Sequence, residues 1–148
     1  MIVTFCGHAD FKATKFHEER LLEFLEKKLQ NTNPEFYLGV NGEFDKFAFE
    51  CCKKYKKNHH DAKLVFVTPY MNVEYQKNHL DYYKTVFDVI IYPEIENKPP
   101  KYAITYRNRY MVEKADLVIA YVSHEWGGAH ATYLHAKRKG KCIFNLAN

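Results

Sequence analysis

A glycine pair at a helix start, a lone tryptophan beside it and two arginines close upstream are the residues here whose types and spacing could do chemistry. Gly127 and Gly128 follow the segment Ser123-His124-Glu125-Trp126. Two glycines at a helix entrance let backbone N–H groups approach a phosphate, and the helix dipole favours negative charge there. The same pair also makes a plain strand-to-helix turn, so the residues alone leave both readings open. Trp126, the only tryptophan, is either packed beneath the neighbouring helix or set as a wall against which a base or ribose lies. Of the 22 basic residues only Arg20, Arg107, Arg109 and Arg138 are arginines, the side chain suited to bidentate phosphate recognition. Arg107 and Arg109, two apart on a helix, point to different faces, so either both are solvated helix charges or at most one reaches a ligand. Asp45 falls in the first turn of a helix, as a ligand group or as a cap for N–H groups, and His8 follows the first strand.

These residues need a scaffold, and apolar periodicity supplies one. Short strand-like runs alternate with helical stripes: strands over Ile2 to Cys6, Phe36 to Val40, Leu64 to Val67, Phe87 to Tyr92, Leu117 to Val122 and Cys142 to Leu146. Between them, helices begin near Thr14, carry Phe44, Phe47, Ala48, Cys51, Cys52 and Tyr55 as one apolar face, and run over Gln76 to Val86, Tyr102 to Lys114 and Gly128 to about Lys139. Such alternation predicts an α/β fold: a Rossmann-like domain spanning 1–148, with a mostly parallel sheet of about six strands and helices on both faces.

In an open parallel sheet, ligands bind outside the carboxyl ends of the strands, where strand order reverses. That rule selects the loops Gly7-His8-Ala9-Asp10, Asn41-Gly42-Glu43-Phe44-Asp45, Thr68-Pro69-Tyr70, Tyr92-Pro93-Glu94 and Ser123 to Gly128.

Composition narrows the class further. With 47% hydrophobic and 27% charged residues the chain is an ordinary globular one. No apolar run approaches the roughly 20 residues of a membrane helix, and the start of the sequence reads as a strand rather than a signal peptide, so a cytoplasmic location and no membrane partner are expected. Four cysteines without metal-like spacing are expected as buried thiols in a reducing compartment. No metal or cofactor is expected: His59 and His60 lie near a helix end, and His130 and His135 are five apart rather than at the pairing that converges on zinc. The net charge of +4 is too mild a surplus to announce nucleic-acid binding, and no nucleic-acid partner is expected. The lysines of 53–57 and the basic residues of 137–141 sit at helix ends, where the dipole favours them. Association with identical chains stays open.

The segment from Arg107 through Met111, Ala115-Asp116 and Leu117 to Ala120, followed by Gly127-Gly128-Ala129, resembles the Lonely Guy nucleoside-monophosphate phosphoribohydrolases. With Thr4-Phe5-Cys6-Gly7-His8, Gly42-x-Phe44-Asp45, Thr132 and Ala136-Lys137-Arg138-x-Gly140-Lys141 added, the chain looks like a small stand-alone member of the SLOG superfamily, which also groups DprA and YpsA-like proteins. The resemblance implies a nucleotide or nucleotide-derived ligand, such as a signalling nucleotide related to ADP-ribose. It implies a ligand site of Gly7, His8, Gly42, Phe44, Asp45, Pro69, Tyr70, Arg107, Trp126, Gly127, Gly128, Ala129 and Thr132. The Lonely Guy glutamate would fall near Leu134 or His135, and neither is a carboxylate. Binding with little or no catalysis is therefore the leading expectation, and no catalytic residue is assigned. Cleavage of the N-glycosidic bond, with Glu43, Asp45 or Glu125 as a substitute acid, is the alternative. DprA-like binding of single-stranded nucleic acid is the third reading.

Overall fold

A computed structural model describes residues 1–148. The chain runs β1 (Ile2–Gly7), α1 (Lys15–Lys28), β2 (Glu35–Leu38), α2 (Glu43–Lys57), β3 (Lys63–Val67), α3 (Val73–Tyr75), α4 (Asp81–Val86), β4 (Val89–Ile91), α5 (Ala103–Lys114), β5 (Leu117–Tyr121), α6 (Gly128–Arg138) and β6 (Cys142–Asn145). The strands form one sheet in the order β4-β3-β2-β1-β5-β6, and every neighbouring pair is parallel. The expectation of a mostly parallel sheet thus becomes an entirely parallel one in a Rossmann-like α/β fold. No helix is long and apolar enough to cross a membrane.

Local chemistry explains the elements. Thr14 caps α1, its hydroxyl accepting the His17 N–H at 3.2 Å, and Leu21, Leu25 and Leu29 then recur at helical spacing and are buried. All six residues of the α2 stripe are buried as well. The sheet is apolar on both faces: Val3 and Phe5 of β1 face α1 and α2 with Phe36, Leu38, Phe66, Leu117 and Ile119, whereas Cys6 joins Val112, Val118, Ala120 and Ala136 under α5 and α6. Burial of each large side chain in these layers is worth roughly 1.5–3 kcal/mol.

Several boundaries differ from the sequence reading. The second strand stops at Leu38, and at the next residue, Gly39, a side chain would approach Arg107 and Asp45 to 3.0 Å. The third helical stretch begins earlier than Gln76: Asn72 caps it by accepting the Tyr75 N–H at 2.8 Å, and a π-helical turn (Gln76–Leu80) joins α3 to α4. The fourth strand keeps only Val89–Ile91. Among the cysteines, Cys6, Cys51 and Cys52 are buried, but Cys142 is exposed at the edge strand β6.

Candidate functional site

The chain leaves β1 toward β2 and leaves β5 toward β6, on opposite sides, so the loops after these adjacent strands part and open a crevice between them. A cavity of about 370 Å³ fills it. Its walls come from the β1 loop (His8, Asp10), the β2 loop (Asn41, Asp45), the β5 loop (His124, Trp126), the start of α6 (Gly127, Gly128, Ala129, Thr132) and α5 (Ile104, Asn108).

At one pole stands the N-terminus of α6. Gly127 holds φ at +91°, a conformation that favours glycine, and neither Gly127 nor Gly128 has any atom within 4 Å of where a side chain would begin. The Thr132 hydroxyl donates back to the Gly128 carbonyl at 3.0 Å. No acidic residue lies in the first turn of this helix, so its positive end is not neutralised from within.

Three rings stack along the wall. His8 lies 3.6 Å from His124 between ring centroids, and His124 lies 3.6 Å from Trp126, all nearly parallel. Trp126 is 69% exposed, which excludes packing beneath the helix and leaves one indole face free. The buried His8 accepts the Ser123 N–H on Nε2 at 2.9 Å, which places the ring proton of the neutral form on Nδ1. Burial, helped by His124, pushes the His8 pKa down and keeps that neutral form.

Behind the wall that Asn41 and Asn108 line, Arg107 is wholly buried and forms no part of the cavity surface. Its guanidinium donates to the Val67 carbonyl at 2.8 Å, to Asn41 Oδ1 at 2.5 Å and to Asn108 Oδ1 at 2.9 Å. Asp45 accepts the Asn41 N–H on Oδ2 at 2.9 Å. Burial pushes the Asp45 carboxyl up from 3.8 to about 6, an effect partly offset by that N–H and by Arg107. The Cys6 thiol beneath is pushed up to about 12 by burial and by Asp45, so it stays protonated. No lysine or arginine lines the cavity, so an anion there would be met by backbone and amide dipoles alone.

The residues expected at one site therefore occupy different places. His8, Asp45, Trp126, Gly127, Gly128, Ala129 and Thr132 line the cavity together, and Gly7 contributes backbone. Phe44 is wholly buried against Phe11, Phe47 and Gly7, so it supports the wall from behind. Gly42 turns the chain into α2 with φ at +104°, close against Ala9. Arg107 lies below the floor, because burial and three internal acceptors hold it there. Pro69 and Tyr70 line a second cavity of about 380 Å³, with Tyr92, Glu96 and Lys98 at the β3 and β4 ends. Ile104 and Asn108 were not singled out from sequence, and Asn41 was named only within its loop; Asn108 follows Arg107 and lies one helical turn from Ile104, which puts them on one face of α5.

No protein-family model matches the sequence, and no curated protein matches it. Solved structures do. The chain resembles DNA processing protein A (DprA) from Streptococcus pneumoniae, with 16% identity, a TM-score of 0.63, and coverage of 97% of this chain and 49% of that one. It resembles DprA from Helicobacter pylori at 16% identity and the same TM-score, with 98% of this chain and 64% of that one covered. At such identity the likeness is one of fold, and the chain spans about half of the first structure and under two thirds of the second. The Helicobacter pylori protein has a single-stranded DNA binding mode. That overturns the expectation against a nucleic-acid partner: a mild net charge excludes nothing, since a local groove and stacking surfaces, not the total charge, decide single-strand binding.

Proposed function

We propose that residues 1–148 act as one SLOG-type unit that binds a nucleotide, with the phosphate at the N-terminus of α6 and the base or sugar along the His124–Trp126 wall. The observation that carries this reading is the pair of uncovered glycines at the start of an eleven-residue helix, opening into the cavity where strand order reverses. Unpartnered backbone N–H groups, a first helical turn without an acidic residue and an exposed indole face suit an anion attached to a flat ring. Binding without turnover fits the residues that follow on α6. Leu134 is apolar, and His135 points to Glu113 at 3.4 Å, so neither supplies a carboxylate to a glycosidic bond. Mass spectrometry of whatever small molecule leaves the freshly purified protein on denaturation tests the proposal. A nucleotide is the expected finding, and a protein that neither carries one nor binds any added nucleotide would remove it.

A second reading is single-stranded DNA binding, favoured by the Helicobacter pylori likeness. The exposed Trp126 would then hold one base of a strand rather than a free ligand. The slope of log K against log salt for an oligonucleotide separates the two, because each neutralised phosphate steepens it by about 0.7 for a single strand.

A further inference from the structure

We infer that Arg107 works from beneath the cavity as a positioning residue, and that the pole it organises binds the hydroxyl pair of a ribose rather than a phosphate. The inference rests on the nucleotide reading above and deepens it.

A side-chain amide carries its oxygen and its NH2 group on opposite arms of one plane, so fixing the oxygen fixes the direction of both N–H donors. Arg107 fixes two such oxygens at once, with Nη2 on Asn41 Oδ1 at 2.5 Å and Nε on Asn108 Oδ1 at 2.9 Å. Its Nη1 is anchored on the Val67 carbonyl at the end of β3, so the planar fork cannot swing. Both asparagines line the cavity, and because each Oδ1 accepts from the guanidinium, each NH2 group is turned away from it and left to donate.

Asp45 completes the pole. Its Oδ2 is held by the Asn41 N–H, which leaves Oδ1 as an acceptor on the same wall. Two neutral donors beside one carboxylate acceptor match groups that both give and accept hydrogen bonds, as hydroxyls do. A phosphate would meet the Asp45 charge here, whereas the α6 pole offers donors alone. The cavity is thus divided by chemistry: anion at Gly127-Gly128, uncharged vicinal hydroxyls at Asn41, Asn108 and Asp45. Removing one hydroxyl leaves a polar partner in the cavity unmatched, for which about a tenfold loss of affinity is expected.

The test titrates the protein with inorganic phosphate, ribose 5-phosphate and 2-deoxyribose 5-phosphate, following the Gly128 backbone amide and the Asn41 and Asn108 side-chain NH2 signals by NMR. Phosphate alone should move Gly128. Ribose 5-phosphate should move all three, and bind about tenfold more tightly than the deoxy sugar. Asn108→Leu should erase the preference between the sugars. Arg107→Lys should erase it too, and should shift both NH2 signals before any ligand is added, which a role confined to packing would not do selectively. Should Arg107→Lys fail to fold, Asn108→Leu still decides. Equal affinity for the two sugars, or a preference that survives Asn108→Leu, overturns the inference while the phosphate site stands. No response at Gly128 to any of the three removes the phosphate reading, and this inference with it.

Discussion

At the end of β1 and the entrance to α2, a methyl group on Gly7 would lie 2.2 Å from the Phe44 ring, and one on Gly42 would lie 2.8 Å from the Ala9 Cα. At the entrance to α6, a methyl group on Gly127 or Gly128 would meet nothing within 4 Å. These three loops stand at the carboxyl edge of neighbouring strands, β2, β1 and β5, and all three read as glycine-bearing in the sequence. The first pair is demanded by the interior: Gly7 makes room for an aromatic ring that packs with Phe11, Phe47 and Tyr121. The second pair serves no packing. Glycine there leaves the backbone open, and under the proposed function the difference separates residues that build the site from residues that would meet the ligand.

The largest expected effect breaks the first turn. Gly7→Ala puts a carbon into the Phe44 ring, and overpacking of this kind costs about 1–3 kcal/mol or more. Urea unfolding should show that loss, and an unchanged midpoint would mean that Phe44 moves aside freely. Gly128→Val should do the reverse. Unfolding should stay within about 0.5 kcal/mol of wild type, as for surface substitutions, while nucleotide or phosphate binding falls by tenfold or more. A Gly128→Val protein that binds normally would reduce the second turn to a connection.

Trp126→Ala sharpens the same contrast on a side chain. With the indole 69% exposed, its removal should leave the melting temperature nearly unchanged, yet cost about 1–3 kcal/mol of ligand binding, the range for a lost base-stacking partner. Tryptophan fluorescence follows the wild-type titration directly, and an unchanged spectrum at saturation would take the base away from this wall.

A further contrast is a pH dependence, and it belongs to the loops that build the site. Because the folded Asp45 pKa is raised from 3.8 to about 6, the folded protein binds more protons than the unfolded chain between those values. The associated stability is fully present below the lower value and is lost as pH rises through the upper one. Measured against Asp45→Asn, which cannot titrate and cancels other groups such as His8, wild-type stability should decline from pH 4 to pH 6 and run level above it. A difference that is flat across this window would mean that Asp45 is as well solvated as an ordinary carboxylate.

Much of the architecture is legible in the residues alone, because periodicity reports local burial. The α2 stripe, the Leu21, Leu25 and Leu29 face, and the apolar β5 run are all dictated by spacing. The carboxyl-edge rule then brings His8, Asp45 and Gly127-Gly128 into one list of loops. What spacing does not carry is which loops share a cavity: strand order, a property of long-range pairing, puts Pro69 and Tyr70 at a different cavity from Gly128. Nor does it carry depth. Arg107 looks like an exposed helix charge suited to a phosphate, and only the packing of α5 over β3 sends it inward to Val67 and Asn41, turning a ligand candidate into a support. Asn41 and Asn108, ordinary loop and helix residues in sequence, acquire their place for the same reason: the direction of a side-chain amide is set by partners far away in the chain, and those partners exist only once the sheet has assembled.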